Sequence, residues 1–301
     1  MCDCLVALAP TTGYGQTLFA KNSDRPPDEV QRLQWSPPRR DRHEVRATHI
    51  GVRAHPHDTL GCLLSIPTWC WGAEHGVNEA GVAMGNEAIY TRLDPRAAPP
   101  ALIGMDLVRL ALERAATATA AVDVVVALLE QYGQGGTGHD PAGASGPKAY
   151  WSSFLVADPH RAFVIETSGR EVAVDEVHDT AAISNRTTIT EFDREHRHPG
   201  QPVAELVDAR LAASRAVLSR RPVTVDSLAA HLRSHDSCAV EGWSVCMHAR
   251  DARGELVETT TASMIAELRA DGRPHRAWVL DGSPCEHTYR PVTVGPVTAA
   301  W

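Results

Sequence analysis

The chain has 301 residues, of which 43% are hydrophobic and 22% are charged, and its formal net charge is -8. This composition is too apolar for a largely disordered chain and is sufficient for a sizeable hydrophobic core. The acidic balance excludes the basic surface that neutralises phosphates, so we expect no nucleic-acid partner.

The seven cysteines are odd in number and scattered along the chain. This pattern differs from the dense disulfide framework of a small secreted domain and favours reduced thiols. The sequence shows neither a signal-peptide pattern at its start nor an apolar run approaching the ~18 residues that would span a bilayer. We therefore expect a soluble, cytoplasmic protein with no membrane partner.

The first residues combine a cysteine with two short apolar runs. Cys2 opens the first run, and a turn containing Pro and Gly separates it from a second run over residues 17–20. This arrangement predicts a hairpin of two strands, the second ending before residue 22. The hairpin would bring Lys21 and Asp24 back towards Cys2.

The segments that follow change from strand-like to helical. Residues 48–53 and 60–66 are strand-like. Residues 67–88 alternate glycines with aromatic and amide side chains, which is typical of tight turns and of close backbone approach. The apolar spacing from residue 104 to 132 predicts two helical segments, with Thr119 capping the second. A Gly-rich loop over residues 133–146 ends this region.

The second half of the chain consists mainly of strands, with a helical region inserted. The predicted strands are 153–157, 162–167, 171–177 and 181–184, joined by short connections typical of antiparallel pairing, and then 244–248, 257–260 and 277–280. Residues 190–235 are predicted to be helical, with Val207, Leu211 and Val217 as core contacts. Blocks of strands without a linker predict one α+β layered domain over residues 1–301.

The chemistry expected at the chain start follows from Cys2. If Met1 is removed, Cys2 carries both a thiol and an α-amine. A free thiol has a pKa near ~8.5 and an α-amine one near ~7.7–8.0, so the amine is a matched base for the thiol proton. The residue could then attack an amide carbonyl and return a proton to the leaving amine.

A second cysteine makes the choice of nucleophile ambiguous. Cys2 and Cys4 would lie on the same face of a strand, since side chains alternate with a period of two. Exposing Cys2 requires only the removal of Met1, whereas exposing Cys4 requires a further cut. We prefer Cys2 and keep Cys4 as the alternative nucleophile.

Short motifs spread over most of the chain are similar, in the same order, to those of secernins. They are CDCLVAL at 2–8, AKNSDRP at 20–26, DEVQ at 28–31, WGAE at 71–74, NEAGV at 78–82, GNEA at 85–88, YGQGG at 132–136, ISN at 183–185 and TTASM at 260–264. Secernins belong with dipeptidase A type enzymes in the N-terminal-nucleophile hydrolase superfamily, alongside penicillin V acylase and bile salt hydrolase. The resemblance implies a four-layer αββα fold with two stacked antiparallel sheets, in agreement with the α+β prediction.

The resemblance also implies roles for residues around Cys2. Relatives place a cation and a carboxylate where this chain has Lys21 and Asp24. Lys21 would then favour the thiolate, and Asp24 would orient the α-amine. Asn185 and Asn86 would donate amide hydrogens to the tetrahedral oxyanion, a contribution typically worth ~10²–10³ in rate.

The substrate pocket is expected near the aromatic and acidic residues Trp69, Trp71 and Glu74. The Gly-rich loop and the strands after Ser244 would complete it. We expect a small peptide or N-acyl amide as the substrate, while its identity and the oligomeric state stay open.

Two thiols and two imidazoles late in the chain are residue types that suit zinc, namely His235, Cys238, Cys246 and His248. Their spacing is poor for a metal site, although Cys246 and His248 would share a strand face. We expect packing or pocket lining instead. No cofactor motif occurs elsewhere, so we expect no metal and no cofactor.

The sequence therefore predicts a cysteine-dependent amide or peptide hydrolase, dipeptidase-like, that works through a thioester acyl-enzyme. Two alternatives stay open. An acyltransferase would deliver the same acyl group to an amine instead of water, and a non-catalytic, secernin-like protein would use this fold for binding alone.

Overall fold

The structure is a computed structural model that describes residues 1–40, 43–236 and 240–296. Its helices are α1 (Gly104–Arg114), α2 (Ala118–Tyr132), α3 (Thr190–His196), α4 (Val203–Leu206), α5 (Asp208–Ser219) and α6 (Val225–Leu232). Its strands are β1 (Cys2–Ala7), β2 (Thr17–Arg25), β3 (Gln31–Ser36), β4 (Val45–Arg46), β5 (Gly51–Val52), β6 (Cys62–Pro67), β7 (His75–Asn78), β8 (Ala83–Ile89), β9 (Trp151–Ala157), β10 (Ala162–Ser168), β11 (Glu171–Val177), β12 (Thr180–Ile183), β13 (His248–Arg250), β14 (Leu256–Leu268), β15 (Arg276–Asp281) and β16 (Arg290–Thr293).

Most strands of the described residues belong to two antiparallel sheets. Sheet 1 has the order β12-β1-β2-β14-β15-β16, with β13 added to β14. Sheet 2 has the order β11-β10-β9-β8-β7-β6-β3. Helices α1 and α2 pack on the outer face of sheet 2, and α5 and α6 pack on the outer face of sheet 1. The result is a four-layer αββα fold, which confirms the predicted fold class.

The period-two pattern of β1 determines which side chains enter each layer. Cys4 and Val6 pack between the two sheets, whereas Leu5 and Ala7 pack on the side covered by α5 and α6. Alternating side chains of a strand point to opposite faces, so Cys2 shares the inter-sheet side with Cys4.

Strand β2 is longer than predicted. It continues to Arg25, so Lys21 and Asp24 lie within the strand rather than at or beyond its end. The extension is paired on both sides, because Cys2 lies opposite Ser23 on β1 and Asp24 lies opposite Thr260 on β14. The polar residues at the end of β2 resemble a loop in the sequence because the strands that pair with them, β1 and β14, are not apparent there.

For the segment that forms β7 and β8, the density of glycine predicted tight turns and close backbone approach; the segment forms strands, and the close approach is found. Their glycines lie where other atoms approach closely: a Cβ at Gly85 would lie 2.6 Å from Cys4 Sγ, and one at Gly76 would lie 2.6 Å from the Leu63 carbonyl oxygen. Glycine thus allows close packing of sheet 2 against sheet 1 at Gly85, and of β7 against β6 within sheet 2 at Gly76.

Several boundaries also differ from the prediction. Thr117, not Thr119, caps α2, since its hydroxyl accepts a hydrogen bond from the Ala120 nitrogen. The strand predicted from residue 244 begins only at His248, and β16 was not predicted. Among the described helices, none is long and apolar enough to cross a lipid bilayer.

Candidate active site

The thiol of Cys2 is buried against the backbone of β2. Only 5% of Cys2 is exposed. The Asp24 backbone N–H donates to Cys2 Sγ at 3.4 Å, and the Ser23 hydroxyl oxygen lies 4.0 Å from the sulfur. Strand pairing therefore places the sulfur, without any contribution from a flexible loop.

The backbone nitrogen of Cys2 is held by Asn185. It donates to Asn185 Oδ1 at 2.8 Å, and Arg210 Nη2 donates to the same oxygen at 2.9 Å. A guanidinium can only donate, so the amide oxygen must face both groups. Asn185 Nδ2 donates to the Ala88 carbonyl oxygen at 3.0 Å. In this arrangement Asn185 orients the Cys2 nitrogen, whereas the sequence predicted that its amide would serve the oxyanion.

Asp24 contacts the N-terminal nitrogen through its backbone carbonyl, not through its carboxylate. Its carbonyl oxygen accepts a hydrogen bond of 3.1 Å from the Met1 nitrogen. Its carboxylate lies on the α5 side, where Oδ1 accepts from Thr260 Oγ1 at 2.6 Å and Oδ2 lies 3.7 Å from Arg210 Nη1. Burial raises the pKa of Asp24 to about 7, although the chain-start ammonium and Arg210 oppose this shift.

Arg210 is a site residue that the sequence analysis missed. It is 0% exposed, its Nη1 donates to Asp3 Oδ2 at 2.7 Å, and it also lies 3.4 Å from the Cys2 carbonyl oxygen. The sequence carried a signal for it, because Arg210 lies next to Leu211 on the stripe of α5 that continues the buried Val207 just before the helix. A cation on an apolar helical stripe requires buried anionic partners.

Lys21 lies between the sheets, beneath the two thiols. It faces Cys4 across the β1–β2 ladder and is fully buried. Its Nζ donates to the Asn86 carbonyl oxygen at 2.6 Å and to Glu87 Oε1 at 3.3 Å, and it lies 3.9 Å from Glu74 Oε2. Two carboxylates thus accompany this one cation.

Lys21 lowers the pKa of the Cys2 thiol, as predicted, but the effect of burial on that pKa is larger. Burial raises the pKa of the Cys2 thiol to about 12; Lys21 lowers it, while Glu87 and Glu74 raise it further. With Met1 still attached, the thiol is therefore protonated at neutral pH.

The structure does not bring the side chain of Asn86 to Cys2. A Cβ at Gly104, the first residue of α1, would lie 2.3 Å from Asn86 Oδ1. The amide thus faces the helical layer, and its neighbours Gly85 and Glu87 face the sheet interface instead. Alternation along β8 allows Asn86 to face either sheet 1 or the helices, and the sequence did not show which of the two it faces.

The residues predicted to bind substrate are engaged elsewhere in the structure. Trp69 bonds to Glu29 (3.0 Å), Trp71 stacks under Arg109 (4.2 Å) and Glu74 pairs with Arg25 (3.1 Å). None of the three lines the cavity at the chain start. These three residues therefore lie outside the lining of the cavity beside Met1, and Trp71 lines a different cavity.

A cavity of about 560 Å³ opens beside Met1. Its lining combines apolar with charged side chains and includes Tyr90, Leu206, Trp243, Arg92, Lys148 and Glu258. The Met1 nitrogen donates to Glu258 Oε2 at 3.4 Å. Met1 lines the cavity, whereas Cys2, the next residue, is buried and does not line it.

Solved structures share this architecture, whereas no protein-family profile matches the chain. A cysteine-to-alanine mutant of conjugated bile acid hydrolase from Clostridium perfringens aligns with a TM-score of 0.57 at 11% identity, over 97% of this chain and 96% of that one. The fold is that of N-terminal-nucleophile hydrolases.

Two further alignments agree with that fold. An arginine-to-leucine variant of the same hydrolase gives a TM-score of 0.55 at 12% identity, over 99% of this chain and 98% of that one. A Caenorhabditis elegans ortholog of N-acylethanolamine-hydrolyzing acid amidase gives 0.50 at 15% identity, over 88% and 92%. At such identities the similarity concerns the N-terminal-nucleophile hydrolase fold, and any activity must be argued from the residues of this chain.

Proposed function

We propose that the protein is a cysteine-dependent amide hydrolase in which Cys2 becomes the nucleophile once the Met1–Cys2 peptide bond is cleaved. One observation carries the proposal: Asn185 holds the Cys2 nitrogen at 2.8 Å at a chain start where Met1 lines the cavity and buried Cys2 does not. Cleavage would convert that nitrogen into an α-amine and open the cavity to the sulfur. Nucleophile and base would then belong to one residue.

The surroundings of Cys4 support Cys2 as the nucleophile. Cys4 is fully buried in the cluster between the sheets. A cut before Cys4 would also remove Asp3, which is the 2.7 Å partner of buried Arg210. That cut would leave a buried cation with one partner fewer, which is costly.

The reaction would proceed in two steps that share one base. The α-amine accepts the thiol proton as sulfur attacks the amide carbonyl carbon; the carbon–nitrogen bond then breaks, and the leaving amine takes up the proton. Water, deprotonated by the same α-amine, attacks the thioester, and the thiolate leaves and recovers its proton. Removal of Met1 would also let water reach the sulfur, which lowers the thiol pKa by reducing its desolvation.

The cavity supports a dipeptide-sized substrate. Glu258 binds the Met1 nitrogen, and after cleavage its carboxylate would be available to a substrate with a free α-amine. Arg92 and Lys148 line the same cavity and are exposed, so they can attract a carboxylate. A small peptide carries both charges, in keeping with the dipeptidase-like activity implied by the resemblance to secernins.

The names of the similar structures are compatible with amide cleavage, since one is a conjugated bile acid hydrolase and another an acid amidase. The resemblance is at the level of fold and carries no substrate for this chain.

The test is a panel of dipeptides and N-acyl amino acids incubated with the purified chain, with products and protein masses followed together. The proposal predicts released amino acids and a transient acyl adduct, both lost in Cys2→Ala. Transfer of the acyl group to an added amine in preference to water would indicate an acyltransferase. Absence of both turnover and adduct in a chain that begins at Cys2 would indicate a binding protein.

A further inference from the structure

A second group of chemically reactive side chains lies at the edge of sheet 1, outside the proposed active site. His235, Cys246, His248 and Cys285 each bring one ligand atom to within 4.8 Å of the others. His235 follows α6, Cys246 lies two residues before β13, His248 begins β13, and Cys285 follows β15. Cys246 and Cys285 are both free thiols.

The distances within this cluster match a tetrahedral metal site. His248 Nε2 lies 3.2 Å from Cys285 Sγ and 3.6 Å from Cys246 Sγ. Zinc bonds of about 2.3 Å to sulfur and about 2.0–2.1 Å to nitrogen place tetrahedral S and N ligands roughly 3.6 Å apart. The ring of His235 lies 5.2 Å from that of His248, centroid to centroid. Two thiolates and two imidazoles in this geometry favour zinc.

The backbone holds the cluster together independently of any metal. The Cys246 nitrogen donates to the Ser234 carbonyl oxygen at 3.0 Å, next to His235. Ser283, two residues before Cys285, donates its hydroxyl to the backbone of β14 at 3.0 Å. The three segments are therefore brought together by contacts with sheet 1 and with each other.

The sequence pointed to a different set of ligands. That set included Cys238, which lies outside the described residues, and its spacing was poor for a metal site. Cys285, 37 positions after His248, was not among the candidate ligands. Cys246 precedes β13 and so does not share a strand with His248, but their sulfur and nitrogen do lie close together, at 3.6 Å.

We propose that His235, Cys246, His248 and Cys285 form a structural site for Zn²⁺. Four protein ligands close the coordination sphere, as in structural zinc sites, whereas catalytic sites keep a position open. Cys285 and His235 are exposed, so an ion can enter from solvent. The ion would fasten three segments that are otherwise joined to the sheet edge by a few hydrogen bonds.

The site would also support the geometry around Asp24. Met247, between two of the ligands, donates its N–H to Thr260 Oγ1 at 2.9 Å. Thr260 in turn donates its hydroxyl to Asp24 Oδ1 at 2.6 Å. A metal bound to Cys246 and His248 would hold the Met247 N–H in place. That N–H bonds the Thr260 oxygen, so the Thr260 hydroxyl proton is directed to the Asp24 carboxylate.

The test uses the full chain in a Cys2→Ala background, so that the proposed nucleophile cannot supply a thiolate. The protein is reduced, freed of metal with a chelator and titrated with Co²⁺. We expect one equivalent to bind, with thiolate-to-cobalt charge transfer and the intense visible bands of tetrahedral cobalt, and Zn²⁺ to displace it. Cys285→Ser should weaken the charge-transfer band, and His235→Ala should alter the visible bands.

A matched control is Cys70→Ser, which removes another incompletely buried thiol outside the cluster and should keep the full signal. Circular dichroism checks that each variant is folded. Lack of cobalt bands in the folded, reduced protein, or an unchanged spectrum in Cys285→Ser, would overturn the proposal. The proposal would also be overturned if Cys246 and Cys285 form a disulfide and the protein takes up no metal after that disulfide is reduced. No readout depends on catalysis, so the outcome is separate from that of the proposed hydrolase.

Discussion

Asn185 Oδ1 accepts a 2.8 Å hydrogen bond from the backbone nitrogen of Cys2. Arg210 donates to the same oxygen at 2.9 Å, which prevents the amide from turning its NH₂ group towards the chain start. The nitrogen that we propose as the catalytic base is therefore held before cleavage of the Met1–Cys2 bond. Holding the base in advance reduces the ordering required when substrate binds.

Asn185→Leu removes the acceptor from the proposed base. Because correctly placed acid–base catalysis is worth about 10²–10⁴ in rate, we expect kcat to fall within that range. Asn185→Asp keeps an acceptor and adds a negative charge, which raises the pKa of the α-amine and shifts the rising limb of the pH–rate profile to higher pH. The measurement is kcat against pH, and identical profiles for wild type and both variants would contradict the assignment.

Arg210→Met leaves Asp3 and Asp24 buried without their shared cation. Removing one partner of a buried ion pair typically destabilises a protein by about 3–5 kcal/mol, so we expect a loss of that size in the free energy of unfolding. Urea denaturation measures it. Arg215→Met, an exposed site on the same helix, is the control and should change stability by less than about 0.5 kcal/mol. Equal effects of the two substitutions would contradict the buried network.

Glu258→Gln tests whether the cavity recognises a free α-amine. Losing a hydrogen bond to a charged group is worth about 1.5–3 kcal/mol, which corresponds to roughly 10–100-fold in affinity. We expect KM for dipeptides to rise by this factor, with little change for N-acyl amides that lack the ammonium group. A parallel change for both substrate classes would show that Glu258 does not contact the amine.

Glu166 should make stability depend on pH. Burial raises the pKa of Glu166 to about 7, even though hydrogen bonds from Thr188 and Ile189 lower it. Its unfolded pKa is about 4.3, so between these values the folded state binds more protons and stability falls as pH rises. The difference corresponds to at most about 4 kcal/mol at about 1.4 kcal/mol per pKa unit.

Glu166→Gln should flatten this fall when urea unfolding is compared at about pH 5 and about pH 8. Glu130→Gln, at an exposed position on α2, is the control and should keep the wild-type slope. If both variants keep the slope, Glu166 does not titrate in this range in the folded protein.

The β1–β2 hairpin could be predicted because its information is local. The apolar runs and the turn specify two strands, and pairing then places Lys21 and Asp24 near Cys2. The αββα layers themselves were implied by the resemblance to secernins, and the blocks of strands agreed with them.

Features that depend on distant partners could not be predicted in this way. Packing of β8 between sheet 1 and α1 decides which of its side chains face sheet 1. The sequence alone therefore did not show that Glu87, and not Asn86, faces that sheet. Arg210 can be recognised as part of the site only once its partners, Asp3 on β1 and Asp24 on β2, are known to lie beside it. Cys285 joins its cluster only because β15 returns the chain to the edge of β14.

The most direct test of the central claim is the mass of the N-terminal peptide, recovered after the protein has turned over a dipeptide and been quenched in acid. We predict a peptide that begins at Cys2 and carries the acyl group on that residue, with Cys4 unmodified. Full turnover by a chain that still carries Met1, or an acyl group found on Cys4, would contradict the account.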